Sequence, residues 1–230
     1  MNIKTIETKL KLVVEYDTDC ESPREWGCFG KMICFHNRYS LGDKHNYTDE
    51  REVFQDICYE VNPYRASILE NAYEEDFITE EQAIKSLVKA IEKDVIILPL
   101  YLYDHGGITM NTTGFACRWD SGQVGIIYAT RKDCEVEGLN IDNEEDREKA
   151  MNILNSEVKV YDTYIRGDVY GISIVEYDEE YNNEYDIVDS CWGFFGDDMN
   201  ENGMMDFIEE NNCKHLLDKG TDVYDYLKVM

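Results

Sequence analysis

Two short segments place acidic side chains and an imidazole at the ends of apolar runs. Asp104 and His105 follow one such run, and Asp120 directly precedes another. An Asp beside a His can act as a general acid/base pair or supply half of a metal site. Together with Asp189, they form the candidate catalytic set of a metal-dependent hydrolase or nucleotide-degrading enzyme. The alternative, which we favour, is that these polar groups organise loops between strands, because glycines suited to turns lie beside them.

A formal calcium-loop pattern occurs nearer the C-terminus. Asp198, Asn200, Asn202 and Glu209 occupy ligand positions of the pattern, and Gly203 occupies its sharp turn. The preceding segment has the character of a strand rather than of the helix that an EF-hand needs, and two of the ligands are uncharged amides. A polar turn that leads into a helix explains the same residues. We therefore expect no cofactor and keep Ca²⁺ as the alternative.

The charge of the chain is strongly acidic and unevenly distributed. With 49 Asp and Glu against 22 Lys and Arg, the formal net charge is −27. No Lys or Arg lies between Arg166 and Lys214, an interval that holds 14 acidic residues. Such a surface ordinarily promotes solubility. At a density approaching that of duplex DNA, about one charge per 1.7 Å of axis, it can also occupy a protein groove that normally receives phosphates.

Within this interval, six acidic residues cluster around a predicted hairpin tip. Residues 170–177 and 185–195 have the alternation of paired strands, and the segment between them consists of turn-forming residues. We expect this hairpin to face a partner, with a second acidic face on the helix that begins near Asp142. The partner-binding candidates are Glu176, Asp178, Glu179, Glu180, Glu184 and Asp186.

Several classes of protein are disfavoured by composition. A sequence pI near 4.3 argues against direct binding to nucleic acid or to an anionic membrane surface. The longest apolar run, about residues 95–103, is far short of a membrane span. None of the eight cysteines forms a CxxC pair, and Cys34 lies in an apolar run that indicates a buried reduced thiol. These features favour a cytoplasmic protein.

The spacing of apolar residues predicts a mixture of strands and helices. A helix should begin behind an N-cap at Thr48, and a capping box at Thr79 should open another. Strands are predicted at 9–16, 31–36, 95–103 and 123–130, and the longest helix at 142–164. We predict an α+β fold, one domain over residues 1–230 around a largely antiparallel sheet with flanking helices. A subdivision near the helical segment 131–165 is the alternative.

Five strings in the sequence are similar to those of one protein family. They are SPREW at 22–26, LGDKH at 41–45, PLYLYDHGGITMNTTGF at 99–115, WDSGQVG at 119–125 and DSCWGF at 189–194. They resemble an uncharacterised family of acidic proteins carried by phages and conjugative elements of low-GC Gram-positive bacteria, over most of residues 9–210. The family has no established activity, so the resemblance implies no catalytic role. It implies a mobile-element origin and action in a bacterial cytoplasm.

The charge distribution and the resemblance together predict a binding protein rather than an enzyme. We expect an inhibitor of a host nucleic-acid-handling defence complex, of the anti-CRISPR or antirestriction type. Its partner would be a host defence protein or ribonucleoprotein with a basic groove, and nucleic-acid mimicry is one way to occupy that groove. The enzyme described above is the alternative, and a structural protein of the mobile element is a further one.

Overall fold

The computed structural model describes residues 9–178 and 183–228, without the side chains at 177, 178 and 183–185. The chain divides into two compact units, one formed by Met1–Ser22 with Thr163–Met230 and the other by Pro23–Asp162. Within the described residues the strands form two antiparallel sheets flanked by helices, which confirms the predicted α+β class. The prediction of one domain over residues 1–230 stays a prediction.

The first unit contains a three-stranded antiparallel sheet in its described part. The strand order is β1-β6-β7, with β1 at Lys9–Tyr16, β6 at Val169–Asp178 and β7 at Asn183–Phe195. After the sheet come two short helices, α6 at Met199–Asn202 and α7 at Met204–Glu210. The predicted pairing of 170–177 with 185–195 is confirmed by the β6–β7 ladder.

Alternation along β1 and β6 builds the core of this unit. Leu12 and Val14 of β1 share a buried cluster with Tyr170, Ile172 and Ile174 of β6. These are every second residue of each strand, so they lie on one face of the sheet. Buried apolar residues of α6 and α7 belong to the same cluster, namely Met199, Met204 and Ile208.

The second unit contains a four-stranded antiparallel sheet in its described part. The order is β2-β5-β3-β4, with β2 at Lys31–Cys34, β3 at Val95–Asp104, β4 at Ile108–Asn111 and β5 at Ser121–Thr130. The helices are α1 at Glu50–Val61, α2 at Pro63–Glu74, α3 at Glu80–Ile91, α4 at Arg131–Val136 and α5 at Glu144–Arg166, whose last residues belong to the first unit.

The core of the second unit lies between α1, α3 and one face of the sheet. Val53 and Ile57 of α1 and Leu87 of α3 are buried in one cluster with Ile33 of β2 and Ile126 of β5. Val53 and Ile57 are four residues apart, as expected on the buried face of an amphipathic helix over a sheet. No helix in the described part of the chain is long and apolar enough to cross a membrane.

The helix starts follow the predicted chemistry, with one correction. At Thr79 the capping box is confirmed, because Gln82 N donates to Thr79 Oγ1 and Thr79 N donates to Gln82 Oε1. Thr48 was predicted as the N-cap of the first helix, and this is wrong. Asp49 caps α1 instead, with its Oδ1 2.9 Å from the amide of Glu52. Asp is a stronger N-cap than Thr, and its negative charge is favourable at the positive end of a helix.

Candidate functional site

The predicted acidic hairpin is only partly within the described residues. Glu176 is half-buried on β6, and Asp186 is exposed on β7. Asp178 and Glu184 lie in the ladder, where Asp178 pairs with Asn183 and Tyr177 pairs with Glu184, but their side chains are outside the description. Glu179 and Glu180 lie outside the described residues. The partner-facing role of the tip therefore stays a prediction.

Beyond the tip, β7 presents a continuous exposed stretch at the edge of the sheet. All residues from Asp186 to Ser190 are exposed, with Ile187 at 65% and Val188 at 56% of full exposure. The register between β6 and β7 shifts at several points, so that 13 residues of β7 lie opposite 10 of β6. Such β-bulges interrupt the alternation of faces, which explains why consecutive residues point to solvent.

A glycine of the neighbouring strand leaves space for the Trp192 side chain of β7. A Cβ atom at Gly171 would lie 2.1 Å from the Trp192 ring, so only glycine allows the indole to pack against β6. Trp192 nevertheless remains 48% exposed. The edge strand thus combines an anchored, half-exposed indole with aliphatic and acidic side chains, and tryptophan is the residue type among these that is enriched at protein interfaces.

In the acidic interval 167–213, the described ion pairs lie near its two ends. Asp168 lies 2.7 Å from Arg166, and Glu209 lies 2.5 Å from Lys214. In the described part of the chain, Asp186 forms no ion pair, and the Asp189 carboxylate accepts only from the Ser190 amide at 2.8 Å. The exposed acidic residues with described side chains in this interval are Asp186, Asp189, Asp197, Asp198, Glu201, Asp206, Glu209 and Glu210.

The second predicted acidic face, at the start of α5, is compensated by neighbouring cations. Lys149 Nζ lies 3.0 Å from Glu145 and 3.2 Å from Asp146. Arg131 donates to Asp142 at 2.8 Å, and this hydrogen bond lowers the pKa of the Asp142 carboxyl. Because these carboxylates already have cationic partners, β7 is the stronger candidate for an interaction surface.

Three of the four candidate catalytic residues come together at one end of the second sheet. The Asp104 amide donates to the Asp120 carbonyl at 2.8 Å, and His105 Nδ1 lies 3.6 Å from Asp120 Oδ2. Cys117 Sγ lies 3.4 Å from the same Oδ2 atom. Asp104 turns to another partner, because its Oδ2 accepts from Arg38 at 3.0 Å.

The fourth candidate, Asp189, lies on β7 of the first unit, whereas the other three belong to the second unit. His105 is 70% exposed in its side chain, and Asp104 is held by an ion pair. Across the described residues, no group of three His, Cys, Asp or Glu side chains is arranged to hold a metal ion. These contacts favour the loop-organising interpretation, and the enzyme alternative retains the group of His105, Cys117 and Asp120.

Two residues of the calcium-loop pattern accept backbone amides at the starts of helices. Asp198 Oδ1 accepts from the Asn200 amide at 2.8 Å, which lowers the pKa of Asp198, and Asn202 Oδ1 accepts from Met204 N at 2.9 Å. Glu209 is paired with Lys214. Since α6 forms inside the segment, Asp198 and Asn202 already accept backbone amides at helix starts, and the Ca²⁺ alternative stays a prediction.

A buried ion-pair network that the sequence analysis missed organises the segments SPREW and LGDKH. The Arg24 side chain is 5% exposed and binds Asp43 through two nitrogens, at 2.7 Å and 3.0 Å. It also donates to the Gly30 carbonyl at 2.6 Å and to Glu157 at 3.3 Å. Bidentate pairing of this kind fixes geometry as well as charge.

The acidic partners of Arg24 are themselves saturated by backbone amides. Glu157 accepts from Phe29 N at 2.6 Å and Gly30 N at 3.0 Å, and Asp43 accepts from Met32 N at 2.8 Å. A network with every group paired is a scaffold rather than a ligand site. The sequence signal was an arginine and an aspartate, each beside turn-forming residues, but their partner Glu157 is far away in the chain.

Comparisons with known proteins add nothing to this picture: no family model, no curated protein and no solved structure matches the chain. The candidate sites therefore rest on their own geometry.

Proposed function

We propose that the protein binds and inhibits a host nucleic-acid-handling defence complex, of the anti-CRISPR or antirestriction type, in the bacterial cytoplasm. The observation that carries the proposal is the surface of β7, where Asp186 and Asp189 lie beside Ile187, Val188 and Trp192. We call these five residues the β7 surface.

The chemistry of the β7 surface matches a basic groove of a partner. Carboxylates without cationic partners attract lysine and arginine side chains that normally contact phosphates, and the net charge of −27 steers the encounter at long range. The three apolar side chains supply the area that desolvates on contact. The same charge repels nucleic acid, so the partner is a protein or ribonucleoprotein.

The resemblance to acidic proteins of mobile elements supports the biological setting. A mobile element gains when a defence complex of its host is blocked. Occupation of the groove by carboxylates, as in nucleic-acid mimicry, needs no catalytic residue, which is consistent with the structural roles of the polar clusters described above.

A competition experiment tests this proposal with a matched pair of variants. Restriction and CRISPR effector complexes would be titrated with the protein while release of bound DNA or RNA is followed. The double variant Asp186→Lys/Asp189→Lys should weaken inhibition at least about 100-fold, because like charges facing each other across an interface cost several kcal/mol. Exposed-site substitutions of this kind should leave the fold intact.

The control is Glu75→Lys/Glu137→Lys, which makes the same change in net charge at exposed positions of the second unit. It should inhibit nearly as well as the parent. Equal losses in the two double variants would mean that total charge, and not the β7 surface, drives binding. Full inhibition by the β7 variant would remove this surface from the interface.

The enzyme alternative has one supporting observation, the approach of His105 and Cys117 to the same oxygen of Asp120. It can be tested separately by incubating the parent and a His105→Ala variant with nucleotide substrates, with and without divalent metal ions. Turnover by the parent that the variant lacks would favour the enzyme. We expect no difference between the two proteins, and the variant should still inhibit the defence complex.

A further inference from the structure

A groove runs along the outer edge of β1, on the side of the first sheet opposite to β7. Its volume is about 580 Å³, and one wall consists of the consecutive residues Lys9 to Val13. The other wall comes from the C-terminal part of the chain, and includes His215, Lys219, Tyr226 and Lys228. All of these residues belong to the first unit.

The backbone of β1 is only partly paired along this edge. Val14 N donates to the Tyr226 carbonyl at 3.0 Å, and Lys228 N donates to the Val14 carbonyl at 2.8 Å. The polar groups of Val14 therefore point away from β6. Because the β1–β6 register is unbroken and antiparallel pairing alternates, the amide and carbonyl groups of Leu10 and Leu12 point the same way, into the groove.

These outward groups have no partner in the described part of the chain. Neither Leu10 nor Leu12 makes a hydrogen bond beyond the strand ladder. Leu12 is only 2% exposed, so its amide and carbonyl are poorly solvated. Unpaired backbone groups in such a position cost free energy, and a strand laid beside β1 would pair them.

The charge of the groove is opposite to that of the molecule. Four lysines lie along it, at positions 9, 11, 219 and 228, against the two acids Asp218 and Asp225. Lys219 Nζ donates to the Asp225 carbonyl at 2.9 Å, and Lys228 Nζ lies 4.0 Å from Glu15. A chain of net charge −27 thus presents a lysine-lined edge.

We propose that this groove binds an extended acidic segment of a partner protein by strand addition to β1. The peptide would exchange backbone hydrogen bonds with Leu10 and Leu12. Alternation along β1 puts Lys9 and Lys11 on one side and the 39% exposed Leu10 on the other, so the segment has alternating acidic and apolar residues. This site goes beyond the proposed inhibition, which uses the β7 surface at the other edge.

The choice of β1 over β7 as the pairing edge follows from their geometry. The β1–β6 ladder keeps one register, whereas β7 is bulged at several points. Bulges and acidic side chains are devices that discourage the pairing of an edge strand. A second copy of this chain is an unfavourable occupant, because its overall charge is repulsive.

Hydrogen exchange tests the proposal at individual amides. The full chain would be mixed with a labelled eight-residue peptide of alternating Glu and Val, and with the same peptide carrying Lys in place of Glu. The Glu peptide should protect the amides of Leu10 and Leu12 at least tenfold, while those of Lys11 and Val13, already paired with β6, should not change. Binding without this protection, or equal binding of the Lys peptide, would overturn the proposal.

Two variants separate backbone pairing from charge. Leu10→Pro removes an outward amide without removing a bond to β6, and proline is tolerated at such edge positions. Peptide affinity should fall about tenfold, the effect of one hydrogen bond, while Leu10→Ala should bind as the parent does. Lys9→Glu/Lys219→Glu should also lose binding. Strand addition by a partner would be contradicted if Leu10→Pro and Lys9→Glu/Lys219→Glu both bound the peptide with unchanged affinity. It would also be contradicted if pyrophosphate displaced the peptide, or if the protein self-associated with increasing concentration in competition with the peptide.

Discussion

Arg24 occupies a site where a guanidinium is almost fully removed from water. Its two closest carboxylates, Asp43 and Glu157, also accept backbone amides, so that removing the cation would leave two acids without their counter-ion. The loss of one member of a buried ion pair is far more costly than the loss of an exposed pair. Arg24 therefore links segment 24–43 to α5 together with the amides of Phe29 and Gly30, which donate to Glu157.

The substitution Arg24→Ala should lower the free energy of unfolding by about 3–5 kcal/mol, since it removes a buried cation and leaves two half-buried carboxylates without their counter-ion. Urea denaturation monitored by circular dichroism would measure the change. The matched substitution Arg38→Ala removes a 69% exposed arginine from its ion pair with Asp104, and should cost less than about 1 kcal/mol. Similar costs for the two variants would show that the Arg24 network is not a scaffold.

Cys34 provides a residue with a predictable pH dependence. Burial, with a contribution from Asp43, raises the pKa of its thiol to about 12. The folded state therefore holds the proton more tightly than the unfolded chain does, so this contribution to stability is complete below pH 9 and is lost as the pH rises towards 12.

From pH 7 to pH 10, the parent should lose about 1.4 kcal/mol more stability than Cys34→Ala. Between pH 9 and pH 10 the folded state keeps a thiol proton that the unfolded chain has lost, and each pH unit of such a difference corresponds to that free energy. Urea unfolding of both proteins at the two pH values measures the difference. The comparison cancels the titration of lysines and tyrosines elsewhere. Identical pH dependence in the two proteins would mean that the thiol ionises as easily in the folded state.

Among the elements, β7 is shaped by its neighbour β6 as much as by its own sequence. Gly171 of β6 leaves the space in which the Trp192 ring lies, and the extra residues of β7 turn aliphatic and acidic side chains outward together. An edge strand with bulges and negative charge resists pairing with other strands. The same features leave its side chains available to a partner.

Gly171→Ala should destabilise the protein by about 1–3 kcal/mol, because the new methyl group overlaps the indole. In a Trp192→Ala background the same substitution should cost much less, which a double-mutant cycle in urea would reveal. Gly122→Ala is the control, since nothing lies within 4 Å of a Cβ there. Equal costs with and without Trp192 would contradict the packing described.

Much of the element pattern was predictable because it depends on local spacing. The strand at Lys9–Tyr16 and the capping box at Thr79 were predicted with their residues. Helix α2 was not predicted, because only Ala66 and Leu69 are buried on it and the apolar period is weak. The bulges of β7 and the partners of Arg24 could not be predicted, because they depend on contacts between residues distant in sequence.

The candidate surface was predictable in a different way. The absence of Lys and Arg from 167–213 can be read directly from the sequence, and the structure places exposed acids of that interval on β7. The sequence could not show whether those acidic side chains have cationic partners in the fold. The acidic residues near the start of α5 looked similar in the sequence, but in the fold Glu145 pairs with Lys149 and Asp142 pairs with Arg131.

At the scale of the whole molecule, the excess of negative charge acts on stability and on binding in opposite directions. Repulsion among carboxylates opposes folding. Salt weakens this repulsion, because at 0.1 M ionic strength exposed charges more than about 10 Å apart are largely screened from each other. The attraction of a basic groove is screened by the same ions. Loss of some of these charges would therefore stabilise the fold, whereas binding to a basic groove needs them.

The salt dependence of binding to a defence complex tests the central claim most directly. The dissociation constant would be measured between 50 and 500 mM NaCl for the parent and for Asp186→Lys/Asp189→Lys. For the parent, log Kd should rise steeply and linearly with log[NaCl], as for nucleic acid in the same groove, and the variant should bind weakly with a shallower slope. A parent affinity that is unchanged across this range, or a slope that is the same in the variant, would contradict inhibition through the acidic β7 surface.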